Sequence, residues 1–257
     1  MDPGIEVGFY PADCIQCGDC VKACPTGAAR IDLPWRIDRA LCRRCGKCAE
    51  VCPGNGLRQI GRFYEIEEIL DIVLRDEVYF ETSGGGVTLS GGEPTLPLDY
   101  ASQLLRVLKS NGIHTAIETN GFFEWSRFET EMLDLTDLIL FDVKLADSEL
   151  HLQHTGRRNN TIFKNLLSLT RTRPNDVIPR IPLIPGITTI KSNLTRISDM
   201  LREMRVTRCW LLRYNPLGFS KRETIGKPMV DIPLKFLTRE EYEQAASFFS
   251  WAELVEM

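Results

Sequence analysis

The residues able to do chemistry are concentrated at one end of the chain. Of nine cysteines, eight fall between positions 14 and 52, and only Cys209 lies elsewhere. The first set reads CIQCGDCVKACP, with Cys14, Cys17, Cys20 and Cys24 followed by Pro25. The second reads CRRCGKCAEVCP, with Cys42, Cys45, Cys48 and Cys52 followed by Pro53. Both are C-x2-C-x2-C-x3-C-P, the bacterial ferredoxin run for 4Fe–4S clusters. Three thiolates spaced by two residues wrap one face of a cube, while the fourth points away toward a second cube. By the crossed rule for two-cluster ferredoxins, Cys14, Cys17, Cys20 and Cys52 hold one cluster, and Cys42, Cys45, Cys48 and Cys24 the other. Gly18 and Gly46, placed identically, admit close backbone approach to the cluster. Zinc ligation or disulfides are the competing readings, and two identical four-cysteine runs weigh against both. The segments CPTGAARI and CPGNGLRQI repeat the duplication after each fourth cysteine.

A second group of polar residues punctuates the remainder. GVTLSGGEP raises the question of why a buried-type strand opens directly onto Gly91, Gly92 and Glu93. ETNG follows another strand, DVK a third, and RIPLIPG and RYNPLG close two more. Polar groups at the C-terminal ends of successive strands are where α/β folds bind ligands. Each alone has a bland reading, since Gly-Gly after a strand is often only a turn and Asp142 with Lys144 can be an ordinary ion pair.

The elements that must position these groups follow from periodicity. Ile66, Ile69, Leu70, Val73 and Leu74 form a helical stripe within 64–77. Thereafter strand and helix alternate five times: GVTLSGG and LDYASQLLRVLKSNG; HTAIETNG and EWSRFETEMLD; DLILFDVKL, followed by SELHLQHTG and NTIFKNLLSLTRT; VIPRIPLIPG and SNLTRISDMLREM; and RCWLLRYNPLG. Near-continuous apolar strands alternating with helices predict a parallel sheet with right-handed crossovers. The expected fold class is thus α/β, with a small iron–sulfur domain over 1–62 and a larger parallel (β/α) domain over 63–257.

Composition bounds the partners. The chain has 257 residues, 43% apolar, with a formal net charge of −4. This suits a folded protein without a nucleic-acid footprint, although 31 Lys and Arg leave room for a local basic patch. No apolar run reaches the roughly 20 residues needed to span a bilayer, and no signal peptide is visible, so a cytoplasmic protein is expected.

Taken in order, the eight cysteines, the helix at 64–77, SGGEP, ETNG, DVK, RIPLIPG and RYNPLG resemble the glycyl-radical-enzyme activating enzymes, a branch of the radical S-adenosylmethionine (radical SAM) superfamily. The likeness is to members that carry a two-cluster ferredoxin insert, of the pyruvate formate-lyase activating type. It implies that Gly91, Gly92 and Glu93 bind the methionine amino group of SAM, and that Glu118, Asp142 and Lys144 contact SAM and shape the site. Arg180 matches a basic residue near the SAM carboxylate or sugar, and Asn215 lies toward the adenine end, where some members carry histidine. It further implies anaerobic radical chemistry. A reduced cluster passes one electron to SAM, and the resulting 5′-deoxyadenosyl radical takes hydrogen from a glycine of a partner glycyl radical enzyme. The two ferredoxin-type clusters relay electrons from a reduced flavodoxin or ferredoxin.

One departure stands against this resemblance. The superfamily holds its own cluster with C-x3-C-x2-C after the first barrel strand, and no such motif occurs here. The expected fold is therefore a partial parallel (β/α) barrel lacking its first strand, with the strand at 86–90 left as an edge. No catalytic residue can be assigned, and a third 4Fe–4S cluster is expected only in a full-length form. Two readings stay open: an N-terminally truncated activating enzyme, inactive as written, or a non-catalytic electron-transfer or partner-docking protein derived from that family.

Other residues have plainer roles. Cys209 opens a strand and is expected to be a buried core thiol. His151 and His154 are three apart on a helix, a spacing that can bind metal, but without a nearby third ligand they are expected on a solvated face. Trp35, Trp125, Trp210 and Trp251 read as packing residues. Gly84–Gly86 precede their strand, which argues against a phosphate cradle.

Overall fold

A computed structural model describes residues 6–216, 224–226 and 235–255. The chain divides into two compact units: Met1–Tyr64 with Pro216–Ile232, and Glu65–Asn215 with Pro233–Met257. The sequence reading made a single cut after residue 62.

In the first unit, β1 (Glu6–Phe9) pairs antiparallel with β2 (Leu57–Ile60), Phe9 opposite Leu57. Two short helices, α1 (Asp19–Ala23) and α2 (Lys47–Glu50), lie between them in sequence. The duplication seen in the sequence is kept in the backbone. Gly18 and Gly46 cap α1 and α2 in the left-handed region, with φ of 83° and 77°. Gln16 and Arg44, at matching positions, are also left-handed, with φ of 59° and 55°. The apolar core is small: Val7, Phe9, Ala29, Ile37, Cys48 and Leu57, against which Cys14, Cys20, Cys24, Cys42 and Cys52 pack. So few large side chains leave much of this unit's cohesion to whatever the thiolates bind.

The second unit begins with α3 (Ile66–Val73) and α4 (Glu77–Ser83). The Ile66, Ile69, Leu70, Val73 and Leu74 stripe packs against Leu104, Leu108 and Ile113, together with Val87 and Leu89. Six parallel strands follow in sequence order: β3 (Gly86–Leu89), β4 (His114–Thr119), β5 (Leu138–Asp142), β6 (Val177–Leu183), β7 (Arg208–Arg213) and β8 (Glu253–Leu254). Five were expected. β8 is only two residues long and has no periodicity to read. Sequential order with right-handed crossovers puts every connecting helix on one face, the winding of a (β/α) barrel. Among the described residues β3 pairs only with β4, so it is an edge of the sheet as expected.

The helices that connect these strands are α5 (Leu98–Ser110), α6 (Trp125–Glu131), α7 (Ser148–Thr155), α8 (Asn160–Thr172) and α9 (Lys191–Glu203), with α10 (Arg239–Ser247) before β8. Ile162, Leu166 and Leu169 of α8 and Leu194, Ile197 and Leu201 of α9 recur at helical spacing and enter the main core. Starts are set by side-chain caps. Glu124 accepts from the Ser126 and Arg127 amides, and Asp147 from those of Glu149 and Leu150.

Strand pairing sorts residues to two faces. Ile117, Ile139, Phe141, Ile181, Leu183, Cys209 and Leu211 enter the helix-covered core. Their alternates, including Ala116, Glu118, Leu140, Asp142, Ile178, Arg180 and Trp210, share the opposite face, with Asp142 beside Arg180 and Arg180 beside Trp210. That face is apolar toward the strand starts and charged toward their ends.

Candidate cluster and cofactor sites

Four of the cysteines come together across the duplication. One pocket is lined by Cys14, Cys17, Cys20 and Cys52, along with Phe9, Ile31, Arg36 and Leu57. Four thiols from both halves of the duplication thus ring one apolar cradle, which fits a 4Fe–4S cube. Cys48 is the buried thiol of the second run. Burial pushes the Cys48 thiol up to about 11, with Cys42, Cys24 and Cys45 close enough to raise it further. Cys20 is likewise raised, first by burial, with Cys17 and Cys52 adding to it. Such thiols become ligands by losing their protons to the metal.

Backbone amides are aimed at the sulfurs. Ala29 donates to Cys24 Sγ and Leu57 to Cys52 Sγ, each at 3.4 Å and five residues on, and Arg44 N donates to Cys42 Sγ at 3.4 Å. The matched pair restates the duplication in hydrogen bonds, and N–H···S donors raise the potential of a cluster.

At the strand ends of the second unit, four predicted residues form one network. Arg180 on β6 donates through Nε (3.0 Å) and Nη2 (2.8 Å) to Asp142 Oδ1, and its Nη1 lies 2.5 Å from Glu118 Oε1 on β4. Lys144 Nζ donates to Asp142 Oδ2 at 3.0 Å. The Arg180 guanidinium also lies 6.0 Å from the Trp210 ring on β7. Two carboxylates and two cations sum to zero, so the network is held internally, and Arg180 acts as the strut tying β4, β5 and β6. Its side chain is 9% exposed, whereas Lys144 and Glu118 each keep 32%. Lys144 and Glu118 therefore present the accessible cation and anion of the group.

The GGEP segment is joined to ETNG. Glu93 is buried and accepts four hydrogen bonds. Thr95 donates to Oε1 from its hydroxyl (2.8 Å) and amide (3.3 Å), the Thr119 hydroxyl to Oε1 (2.8 Å), and the Asn120 amide to Oε2 (2.8 Å). The carboxylate thus pins the loop after β3 to the end of β4. The residues 119–121 turn is held from beneath by Asn165, which donates to the Gly121 and Phe123 carbonyls. Gly91 sits at φ 103° with open space where a side chain would be, which leaves its backbone approachable. Asn215, exposed, lies two residues past the end of β7.

The structure therefore brings together Glu118, Asp142, Lys144 and Arg180, joins Glu93 to the neighbouring strand end, and leaves Gly91 and Gly92 in the loop after β3 and Asn215 in the loop after β7. Thr95, Thr119 and Asn120 were not singled out in the sequence, and Trp210, read there as a packing residue, lies beside Arg180. The parity of Trp210 with Arg180 was readable, but the threonines look like any loop hydroxyl.

Two side readings resolve differently. Cys209 is fully buried in the main core, and burial pushes its thiol up to about 12, as expected of a packing cysteine. The solvated face expected for His151 is corrected. It is buried, with Nδ1 2.7 Å from the Arg157 carbonyl and 2.9 Å from Thr155 Oγ1, while His154 is exposed. α7 carries no clear apolar stripe, so its inward side could not be read from spacing. Burial lowers the His151 basicity.

Comparison with known proteins places this geometry. The radical SAM superfamily model matches residues 42–191, and the 4Fe–4S dicluster domain model residues 13–56. The chain is 34% identical to the (2S)-3-sulfopropanediol dehydratase activating enzyme of Klebsiella oxytoca over 88% of this chain and 74% of that one. It is 37% identical to the choline trimethylamine-lyase activating enzyme of Oleidesulfovibrio alaskensis (83% and 71%). It is 33% identical to the trans-4-hydroxy-L-proline dehydratase activating enzyme of Clostridioides difficile (95% and 82%). A solved domain of pyruvate-formate lyase-activating enzyme from Bacteroides vulgatus superposes with a TM-score of 0.53 at 23% identity, covering 67% of this chain and 99% of that one, a likeness of fold.

Proposed function

Since this chain belongs to the glycyl-radical-enzyme activating enzymes of the radical SAM superfamily, we propose that it serves to install a glycyl radical on a partner glycyl radical enzyme, drawing on SAM and on electrons carried by its two 4Fe–4S clusters. The observation that carries the reading is the Glu118–Arg180–Asp142–Lys144 network beside the Glu93-pinned loop. A pure electron carrier has no use for such a constellation at the ends of four strands.

SAM, when bound, supplies a homolytically cleavable sulfonium bond; this chain supplies the binding and orientation. Gly91 and Gly92 would offer backbone carbonyls to the SAM ammonium. Glu93, held by four donors, fixes the loop that carries them. Lys144 and Glu118, the accessible members of the network, would meet the polar groups of the ligand, with Arg180 and Asp142 setting their positions. Asn215 would lie at the nucleoside end. Preset charges held by their own ion pairs cost little reorganisation when the ligand arrives. Cys14, Cys17, Cys20 and Cys52 would hold one cluster, and Cys42, Cys45, Cys48 and Cys24 the other. No helix among the described residues is long and apolar enough to cross a membrane, which suits a cytoplasmic setting.

None of the nine cysteines forms C-x3-C-x2-C. Thiolates for a SAM-cleaving cluster would therefore come from outside residues 1–257. This favours, as a second reading, an electron-transfer or docking role for these residues alone. The deciding experiment takes the protein as its own cell makes it, measures its intact mass and N-terminal sequence, and incubates it anaerobically with SAM, a reductant and a glycyl radical enzyme. A glycyl radical signal by electron paramagnetic resonance, lost in Asp142→Asn, supports activation. Reducible clusters with neither SAM binding nor radical formation support the carrier.

A further inference from the structure

The two halves of the iron–sulfur unit share a backbone but not a surface. Aligned on their first cysteines, Ile15 corresponds to Arg43, Gln16 to Arg44, and Asp19 to Lys47. Over 14–22 the charges are Asp19 and Lys22, paired with each other at 3.0 Å, and the net is 0. Over 42–50 they are Arg43, Arg44, Lys47 and Glu50, and the net is +2. Arg44 is directed to Glu6, its Nε 3.1 Å from Oε1. Arg43 and Lys47 are exposed, and neither has a salt-bridge partner among the described residues. They flank Cys45, itself exposed. At the matching rim of the first cluster, Ile15 is 66% exposed.

We infer that the loop bearing Arg43, Cys45 and Lys47 is the docking surface for an acidic one-electron donor protein, and that electrons enter through the cluster held by Cys42, Cys45, Cys48 and Cys24. The inference rests on the reading that this unit carries electrons, and adds which cluster receives them and by what recognition. A chain of net charge −4 repels an acidic partner at long range; a local cationic rim reverses that where an exposed ligand thiolate shortens the electron's path. The duplicated loop is an internal control, with the same backbone and an exposed Cys17 but no unpaired cation of its own; Arg36, half-buried, reaches that pocket from another segment and is directed to the Ile31 carbonyl. The transfer balances as one electron: the donor is oxidised by one, the receiving cluster reduced by one, and no bond or proton moves.

The test uses the cluster-loaded full chain and a photoreduced flavodoxin of net negative charge. Stopped-flow absorbance follows cluster reduction, and the iron content of each variant is checked first. Arg43→Glu with Lys47→Glu should slow second-order reduction at least about 10-fold at low ionic strength, within the range of electrostatic steering. The difference should shrink in about 1 M salt, where the screening length falls to about 3 Å. Dithionite, a small reductant, should reduce both proteins alike, and carbodiimide should cross-link Lys47 to the flavodoxin in the wild type. Ile15→Glu with Gln16→Glu should change the rate little. Should the charge-reversed variant lose its clusters, Arg43→Gln with Lys47→Gln takes its place, with a smaller fall expected. A fall in the Ile15 and Gln16 variant equal to that in Arg43→Gln with Lys47→Gln, which lowers the net charge by the same two, would mean that net charge alone governs the rate, and an unchanged rate in the Arg43 and Lys47 variants would remove the docking surface; either result overturns the inference. Clusters that dithionite cannot reduce would overturn the electron-carrying reading beneath it.

Discussion

Glu93 gives the sharpest test of how the strand ends are assembled. Its carboxylate only accepts, taking two bonds from Thr95, one from the Thr119 hydroxyl and one from the Asn120 amide. Glu93→Gln keeps the shape and replaces one acceptor oxygen with a donor. If the new NH2 faces Asn120, that amide loses its acceptor. If the side chain turns over, the two hydroxyls can rotate to accept, but the Thr95 amide then faces the NH2. Either way one backbone N–H in a buried site is orphaned. Losing a hydrogen bond to a charged acceptor costs about 1.5–3 kcal/mol, so about 2 kcal/mol is expected. At 1.4 kcal/mol per tenfold, that is roughly 30-fold. Native-state hydrogen exchange followed by mass spectrometry is the assay, read on peptides spanning 91–97 and 117–123. One of the two should exchange roughly 30-fold faster, with a matching loss in urea stability. Unchanged exchange in both peptides, with stability within about 0.5 kcal/mol of wild type, the range of an inconsequential surface change, would refute the claim that this carboxylate joins the two loops.

Arg180→Met should cost about 2–3 kcal/mol in urea unfolding, at or below the lower end of what breaking a buried ion pair costs, because Glu118 stays about a third exposed and Asp142 keeps Lys144. Arg180→Lys should recover only part of this, since an ammonium cannot span both carboxylates as the guanidinium does. Asp137 is partly buried, which raises its carboxyl, but bonds from Lys109 and Thr115 outweigh that and hold it below its ordinary value. A lowered folded value is stability present above the unfolded pKa and lost as pH falls through the folded one. Asp137→Asn should therefore cost about 1–2 kcal/mol near pH 7, with the gap to wild type closing below about pH 4; a gap independent of pH would deny the carboxylate its role. The crossed cluster assignment predicts that Cys14→Ser with Cys52→Ser damages one cluster and leaves about four irons per chain. Cys14→Ser with Cys24→Ser should damage both, and the reverse pattern, with about four irons kept in the second variant and lost in the first, would argue for uncrossed clusters.

Much of the chemistry was legible without coordinates, because covalent spacing alone carries it. C-x2-C-x2-C-x3-C-P sets how far apart four thiolates can stand, and duplication of the run pointed to a 4Fe–4S dicluster domain. Alternating strand and helix patterns similarly imposed a parallel sheet, with polar groups at the C-terminal ends of its strands. Tertiary structure decided everything that depends on which residues lie side by side across strands. Glu118, Asp142 and Arg180 are separated by dozens of residues, and only parallel register made Arg180 the strut between two carboxylates. The burial of His151 and the two-residue β8 were likewise invisible, one for want of a stripe and the other for want of length. Glu93 shows the division most clearly. Its residue type marked an anion at a strand mouth, but a carboxylate can bind a ligand or hold a loop. Two donors from Thr95 in its own loop and two from the end of β4 show it joining the two segments, which the motif alone did not reveal.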